Sequence, residues 1–218
     1  MKSIRERKNT VKISSGVATI NGNLEIPDAS SSIVVFAHGS GSSRFSPRNT
    51  YVAELMNMQG ISTLLIDLLT AEEEGVDEYT GRYRFDVNML SERLIDSTRW
   101  LKENPYTSKL SIGYFGASTG AAAALIAAAK QPNEIEAVVS RGGRPDLAGN
   151  HLAKVKAPTL LIVGGDDTEV LELNKQALKL IRVEKRLEII PGATHLFEEP
   201  GKLEEAAKLA INWFKKHL

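Results

Sequence analysis

Cysteine is absent from the 218-residue chain. Its absence excludes disulfides, thiolate metal sites and a cysteine nucleophile, and it removes the usual sequence clue to redox compartment. An excess of charge of one sign is also missing, because 27 basic residues balance 27 acidic ones. A balanced surface produces no field that attracts a polyanion, so neither nucleic acid nor an anionic membrane is expected as a partner.

Long apolar runs are lacking as well. The longest is the alanine-rich stretch at residues 121–129, far short of the ~20 residues that span a membrane. The charged N-terminus is not followed by the apolar region of a secretory signal. We therefore expect a soluble protein, cytoplasmic by default. Apolar residues make up 42% of the chain, so residues 1–218 are expected to form a single domain, and the sequence leaves a homo-oligomer open.

Short β-rich apolar runs alternate with amphipathic stretches along the chain. Strands are expected at residues 10–14 and 17–26, which would form a leading hairpin, and at 33–37, 62–67, 110–115, 137–140, 159–163 and 186–190. Helices are expected at residues 49–58, 86–103, 119–130, 171–181 and 202–216. This alternation predicts an α/β fold with a mostly parallel sheet covered by helices on both faces. In such sheets, ligands bind beyond the C-terminal ends of the strands.

A candidate nucleophile follows the strand at residues 110–115, where residues 116–120 read G-A-S-T-G. The pattern G-x-S-x-G between a strand and a helix is typical of a turn that holds its serine in a strained conformation above the sheet. We interpret Ser118 as the nucleophile; the alternative is a glycine-rich turn in which Ser118 merely caps the helix. A third glycine is missing, which excludes a phosphate-binding G-x-G-x-x-G loop, and no cofactor or metal is expected.

The general base is predicted at His195, in the loop that follows the last strand. The acid should lie between Ser118 and His195, after an intervening strand, where Asp166 and Asp167 compete. Asp167 is favoured because it lies three residues past Gly164, which leaves the chain room to turn towards the histidine. Asp166 is the second choice, with a turn or helix cap as its ordinary role. The order along the chain predicts a Ser118–His195–Asp167 triad.

An oxyanion hole is predicted in the segment H-G-S-G-S at residues 38–42, directly after the first buried strand. The backbone N–H of Ser40, or alternatively that of Gly41, would donate to the substrate carbonyl oxygen together with the N–H of Thr119. His38 is expected to brace this loop by hydrogen bonds. The ordinary interpretation of the segment is a simple strand-to-helix connection.

Several arginines fall on or near loops at the same edge of the sheet: Arg44, Arg48, Arg141 and Arg144. They predict either a cationic rim for an anionic acyl group or ion pairs with neighbouring carboxylates, and we favour the ion pairs. The carboxylates that share this edge are Asp67, Glu72, Glu73, Glu74 and Asp146. Arg44, Arg141 and Gly41 are retained as candidate substrate contacts.

No cap domain is expected over the site. Ser140 and Pro158, which bracket the usual insertion point, are only 18 positions apart. The site should therefore be open, with the polar segment at residues 72–84 as a second wall.

Motifs along nearly the whole chain resemble the dienelactone-hydrolase-like family of the α/β hydrolases. The matching segments are residues 36–44 with 46–49, 64–70, 113–123, 139–146, 161–167 and 191–197. The resemblance extends to a hydrolase module that also occurs joined to a phosphoribosyltransferase domain, a domain not represented in these 218 residues. It implies an α/β-hydrolase fold and a hydrolase of carboxylic esters or lactones.

One departure from the family pattern concerns the nucleophile. Dienelactone hydrolases proper use cysteine where this chain has Ser118, which argues against dienelactonase activity itself. A second class of function is a catalytically silent binding or regulatory module that kept the fold, because a fold alone does not decide function. The complete set of triad residues favours the enzyme.

Overall fold

The computed structural model describes residues 7–218, with side chains from residue 9, so the charged N-terminus considered above lies outside the described residues. The strands are β1 (Arg7–Ser15), β2 (Ala18–Ile26), β3 (Ser32–Ala37), β4 (Ser62–Ile66), β5 (Ser111–Ala117), β6 (Ile135–Arg141), β7 (Thr159–Gly164) and β8 (Lys185–Ile190). They form one sheet in the order β1-β2-β4-β3-β5-β6-β7-β8. The first two strands pair antiparallel, and β2 pairs antiparallel with β4. All other pairs are parallel, which places the C-terminal ends of β3 to β8 at one edge.

Helices cover both faces of this sheet. They are α1 (Pro47–Asn57), α2 (Ala71–Thr80), α3 (Val87–Glu103), α4 (Thr119–Lys130), α5 (Thr168–Leu180) and α6 (Lys202–His217). Alternate residues of each central strand point to opposite faces: Ile33 and Val35 join α3 and α4 in one apolar cluster, while Val34 and Phe36 join α1 and α6 in the other. The prediction of a mostly parallel, doubly covered sheet is confirmed. Every predicted strand and helix is present, with ends displaced by at most three residues.

Two elements of the structure are not predicted from the sequence, and one of them had a recognisable signal. Helix α2 begins with a capping box, in which Thr70 Oγ1 accepts from the Glu73 N–H and Glu73 Oε2 accepts from the Thr70 N–H. The pattern Thr-x-x-Glu is the sequence signature of such a start. The helix ends at Gly81, whose φ of 62° suits glycine. The second missed element is a kinked 3₁₀ stretch, Pro145–Lys154, between β6 and β7.

The edge that carries the C-terminal ends of the parallel strands stays open. The short Pro145–Lys154 stretch is the insertion between β6 and β7, so over the described residues no cap domain covers this edge, as predicted. None of the helices described in residues 7–218 is long and apolar enough to cross a membrane.

Candidate active site

Ser118 lies on a strained turn between β5 and α4. Its φ of 49° and ψ of −122° fall in a region that costs a non-glycine residue about 1–3 kcal/mol. Its side chain makes no capping hydrogen bond to the helix, so the interpretation of Ser118 as a simple helix cap is wrong. The turn is possible because Gly120 is small: a Cβ there would lie 2.3 Å from the Ala37 carbonyl oxygen. At position 120, helix α4 therefore lies so close to the end of β3 that only glycine fits.

The structure pairs His195 with Asp167. His195 Nδ1 lies 2.7 Å from Asp167 Oδ2, and the carboxylate is the more buried partner, with 15% of its side chain exposed against 38% for the imidazole. Asp166 is exposed, and its backbone N–H donates to the Ala193 carbonyl at 3.0 Å. A Cβ at Gly164 would lie only 2.2 Å from the same Ala193 oxygen. The acid loop and the histidine loop are thus in direct backbone contact.

Ser118 and His195 line one cleft of about 230 Å³. Gly142, at the end of β6, brings the histidine loop close, because a Cβ there would lie 2.9 Å from the His195 carbonyl oxygen. Among the described residues no hydrogen bond joins Ser118 Oγ to His195. Contacts of this kind between a nucleophile and its base are often long until substrate closes the site.

The loop at residues 38–42 packs directly against the nucleophile. A Cβ on Gly39 would lie 3.0 Å from Ser118 Cβ, and Ser40 lines both this cleft and a larger neighbouring one. Gly41 has a φ of 69° and lines the larger cleft. Thr119 is the first residue of α4, where the backbone N–H has no acceptor within the helix. The two predicted oxyanion donors, Ser40 and Thr119, therefore flank Ser118.

His38 braces this loop, as the sequence predicts. Its Nε2 accepts a hydrogen bond from the Leu68 N–H at 3.0 Å, and its Nδ1 lies 2.8 Å from the Gly39 carbonyl oxygen. The ring is therefore neutral with the proton on Nδ1, because Nε2 must accept. Burial lowers the pKa of His38, and the Gly39 carbonyl and the charge of Asp67 oppose that effect only in part. The loop at residues 38–42 is thus tied to the end of β4 by an uncharged imidazole.

Stability is expected to fall as the pH drops below neutrality because of His38. Its pKa is lower in the folded protein than the ordinary value of ~6.5, so below that pH the unfolded chain takes up more protons than the folded one. The stabilisation is complete above about pH 6.5 and is lost as the pH falls towards the folded-state pKa.

The measurement for His38 is the thermal midpoint as a function of pH. The His38→Asn variant should be less stable at pH 7.5, by about 1–3 kcal/mol for the buried Leu68 N–H that it leaves unpaired, and its midpoint should vary less with pH. His151→Asn, which changes a histidine with a single backbone contact to Ala148, is the control and should keep the wild-type profile. Identical slopes for wild type and His38→Asn would refute the assignment.

Three of the four arginines at this edge form ion pairs. Arg44 pairs with Asp67, Arg48 Nη1 lies 3.1 Å from Glu198 Oε1, and Arg144 Nη2 lies 2.8 Å from Asp146 Oδ2. Arg44, retained as a candidate substrate contact, is therefore engaged by a carboxylate. Arg141 differs, because no ion pair forms between it and any side chain described in residues 9–218.

The larger cleft, of about 420 Å³, shares Gly39, Ser40, Ser42 and Ser46 with the smaller one. Phe45, Leu68, Leu69 and Leu90 supply apolar lining. Helix α2 contributes Glu74, Asp77 and Glu78 to the lining, so the segment at residues 72–84 forms a wall of this cleft, as expected. Burial, with the negative charges of Asp67 and Glu78, raises the pKa of Glu74 on that wall.

The fold and this edge of the sheet define an α/β hydrolase. The structure of Est1E from Butyrivibrio proteoclasticus superposes with a TM-score of 0.79, covering 95% of this chain and 98% of that chain at 16% identity. At that identity the likeness shows the fold alone.

A family model and a solved structure of much higher sequence identity show which family the chain belongs to. Residues 21–218 match the model of the dienelactone hydrolase family, and the chain belongs to that family. It is similar to a dienelactone hydrolase from Anabaena variabilis ATCC 29413, whose crystal structure superposes with a TM-score of 0.96 at 56% identity, covering 98% of this chain and 99% of that one. Membership of this family supports hydrolase activity.

A curated relative shows how the chain compares in length. A putative phosphoribosyl transferase of Mycobacterium tuberculosis is 56% identical over 215 residues, covering 97% of this chain but 47% of the relative. The chain thus spans about half the length of the first curated relatives it matches. The single-domain organisation of residues 1–218 stays a prediction.

Proposed function

We propose that this chain is a serine hydrolase that cleaves carboxylic esters or lactones through an acyl-enzyme on Ser118. The observation that carries the proposal is the Asp167–His195 pair, 2.7 Å apart, in reach of a cleft that holds a serine in a strained conformation. Strain at a single residue persists only where the surrounding structure enforces it, and it is concentrated at functional sites.

In the first half of the reaction Ser118 Oγ attacks the carbonyl carbon. His195 Nε2 takes the proton from Oγ, because its Nδ1 is occupied by Asp167, and the carboxylate stabilises the imidazolium that forms. The negative charge passes to the carbonyl oxygen, where the N–H groups of Ser40 and Thr119 donate. Collapse of this tetrahedral intermediate breaks the bond between the carbonyl carbon and the alcohol oxygen, and the alcohol leaves with the proton from His195. In a lactone the alcohol stays attached to the acyl chain.

In the second half water replaces the alcohol. His195 takes a proton from the water, the hydroxide attacks the acyl carbon, and the carboxylic acid leaves as Ser118 regains its proton. Water reaches this cleft directly, since no cap covers the edge of the sheet in the described residues. The acyl-enzyme needs no conformational opening before it is hydrolysed.

The competing function is a silent binding module, and covalent labelling separates the two. A fluorophosphonate reacts with an activated serine and not with an ordinary hydroxyl. We expect stoichiometric labelling of Ser118, located by peptide mass spectrometry, and hydrolysis of activated short-chain esters. A wild-type protein that is folded yet takes up no label and turns over no ester would be the binding module.

Short acyl esters are expected to be better substrates than long ones. The clefts are open, and the apolar lining of the larger one is bounded by acidic side chains of α2, so little apolar wall is available to a long chain. Across a series of 4-nitrophenyl esters, kcat/KM should fall as the acyl chain lengthens, without activation at an oil–water interface. A steady rise of kcat/KM with chain length would contradict the open site.

A further inference from the structure

The imidazole of His195 is fixed by few contacts of its own. Its side chain is 38% exposed, and the one hydrogen bond that the described residues give it joins Nδ1 to Asp167. Gly142 faces the ring, since a Cβ there would lie 3.7 Å from Cε1, but it has no side chain that could pack against the imidazole. The direction of Nε2 towards Ser118 therefore depends on where the backbone places His195.

Glu199 closes the loop that carries His195. Its Oε2 accepts a hydrogen bond from the Thr194 N–H at 3.1 Å, and its Oε1 accepts one from Thr194 Oγ1 at 2.6 Å. Both oxygens of one carboxylate thus bind the residue directly before the histidine. The hydrogen bond from the Thr194 hydroxyl is the largest cause that lowers the pKa of Glu199, so the carboxylate is ionised at neutral pH and its bonds are charge-assisted. Residues 194–199 with these two hydrogen bonds are called the histidine clasp.

The histidine clasp is attached to α6 at one end and to the acid loop at the other. The N–H of Lys202, at the start of α6, donates to the Glu199 carbonyl at 3.0 Å. The Ala193 carbonyl accepts from the Asp166 N–H, also at 3.0 Å. His195 lies between these two anchors. Loss of the Glu199 side chain would therefore free the loop on the α6 side of His195 and leave the acid loop in place.

Phe197, inside the histidine clasp, has a strained backbone. Its φ of 58° lies in the left-handed region, which a bulky residue rarely adopts. Its ring is only 1% exposed and packs in the apolar cluster beneath α1 and α6, and its N–H donates to the Thr194 carbonyl at 3.3 Å. Strain of this kind persists only where the surrounding contacts enforce it. Without Glu199, the backbone between Thr194 and Phe197 is able to relax, and His195 lies in that stretch.

We propose that Glu199 is a positioning residue that holds His195, through Thr194, with Nε2 directed at Ser118. The inference rests on the proposed hydrolase function and adds a residue to its machinery. Glu199 does not reach the substrate, because it lines a separate groove between α1 and the start of α6 and lines neither of the two clefts described above. Its effect is therefore on proton transfer and not on the binding of the ester.

The test removes the carboxylate and then restores its shape. Glu199→Ala loses both contacts to Thr194, and kcat for an activated short-chain ester should fall about 10- to 100-fold, the cost expected when a catalytic group is misplaced by about 1 Å. KM should change by less than about twofold, since no substrate contact is lost. Glu199→Gln should recover kcat to within about threefold of wild type, because its amide oxygen can accept from the Thr194 N–H while its NH₂ group donates to Oγ1.

Glu204→Ala is the matched control. Glu204 is an exposed residue of α6 whose carboxylate pairs with Lys208 at 2.7 Å, so the same truncation there removes no contact to the histidine loop and should leave kcat at the wild-type value. Thr194→Val and Thr194→Ser repeat the test from the other partner: only valine, which lacks the hydroxyl, should lower kcat. In the double variant Thr194→Val/Glu199→Ala the loss should not exceed that of Glu199→Ala, because both changes break the same contacts.

A purely structural role for Glu199 predicts a different pattern. The thermal midpoint of Glu199→Ala would fall, while kcat measured well below that midpoint would stay at the wild-type value, and this result would overturn the proposal. A rise in KM with an unchanged kcat would also overturn it, because Glu199 would then act on binding. An equal loss in Glu199→Gln would assign the effect to the negative charge instead of the position of the loop, with the same consequence. Should Glu199→Ala fail to fold, equal kcat values for Thr194→Val and Thr194→Ser would overturn the proposal.

A spectroscopic measurement keeps this inference separate from the proposed function. The Cε1–H signal of His195 in proton–carbon NMR spectra, assigned by its absence in His195→Gln, reports the surroundings of the ring without any substrate. Glu199→Ala should shift or broaden this signal, whereas Glu199→Gln and Glu204→Ala should leave it near the wild-type position. A change confined to Glu199→Ala supports the positioning of His195 even if the wild type hydrolyses no ester. An unmoved signal would overturn the inference, and ester hydrolysis by the wild type would still leave the hydrolase intact.

Discussion

Ser118→Ala should abolish labelling by a fluorophosphonate and lower kcat for short esters by about 10⁴-fold or more. The reason is that no acyl-enzyme can form without the hydroxyl, and the residues of a catalytic triad act as a unit. Ester hydrolysis, corrected for the uncatalysed rate, and intact-protein mass spectrometry are the measurements. The thermal midpoint should stay close to that of wild type, because Oγ makes no capping hydrogen bond.

A matched control comes from the opposite edge of the sheet. Ser108 lies on the turn between α3 and β5, so Ser108→Ala removes a hydroxyl far from the cleft. That variant should label and hydrolyse at the wild-type rate. A Ser118→Ala protein that still forms an acyl-enzyme at the wild-type rate would exclude Ser118 as the nucleophile.

Asp167→Asn should lower kcat by about 10³- to 10⁴-fold, whereas Asp166→Asn should change it by no more than about threefold. An amide at position 167 would donate to His195 Nδ1, which moves the ring proton to Nε2 and removes the acceptor that Ser118 needs. Asp166 is exposed and contributes a backbone N–H that the substitution preserves.

The two asparagine variants control for each other, since they make the same change at adjacent positions. Steady-state kinetics on one activated ester and a thermal melt of each variant are sufficient. Equal small losses in the two variants, or a larger loss in Asp166→Asn, would show that the acid has been assigned to the wrong residue.

Much of the fold and of the site geometry was predictable because the relevant signals are local. Short continuous apolar runs mark the buried strands, helical spacing of apolar residues marks most helices, and G-A-S-T-G at residues 116–120 marks the turn at Ser118. Helix α2 was also within reach of sequence reasoning, through Thr70 and Glu73 of its capping box. It was missed because its residues are mostly polar and bury little, so apolar periodicity is weak there.

The expectation of ion pairs is confirmed for Arg44 with Asp67 and for Arg144 with Asp146, but the surroundings of Arg48 and Arg141 could not be predicted. Arg48 pairs with Glu198, which is 150 positions away and was not among the carboxylates considered. Glu73, which was considered, pairs instead with Arg93 on α3. Arg141 is isolated only because the tertiary structure buries it away from every described carboxylate. The long-range pairing of Arg48 and the isolation of Arg141 depend on side-chain geometry across the sheet edge and leave no trace in local sequence.

Helix α4 and the β7–β8 end of the sheet differ in how firmly they are held. Ten residues of α4 are fully buried, whereas α5 buries only Asn174 and Ala177 and β8 is an edge strand with mostly unburied side chains. Local opening therefore requires less free energy at β8 and α5 than at α4. Amide hydrogens that are bonded within the buried part of α4 should exchange only on global unfolding, and those near His195 through smaller fluctuations. Loss of the Asp167–His195 contact is therefore expected at a lower temperature than loss of the fold, and the proposed hydrolase activity should be lost reversibly before the protein denatures.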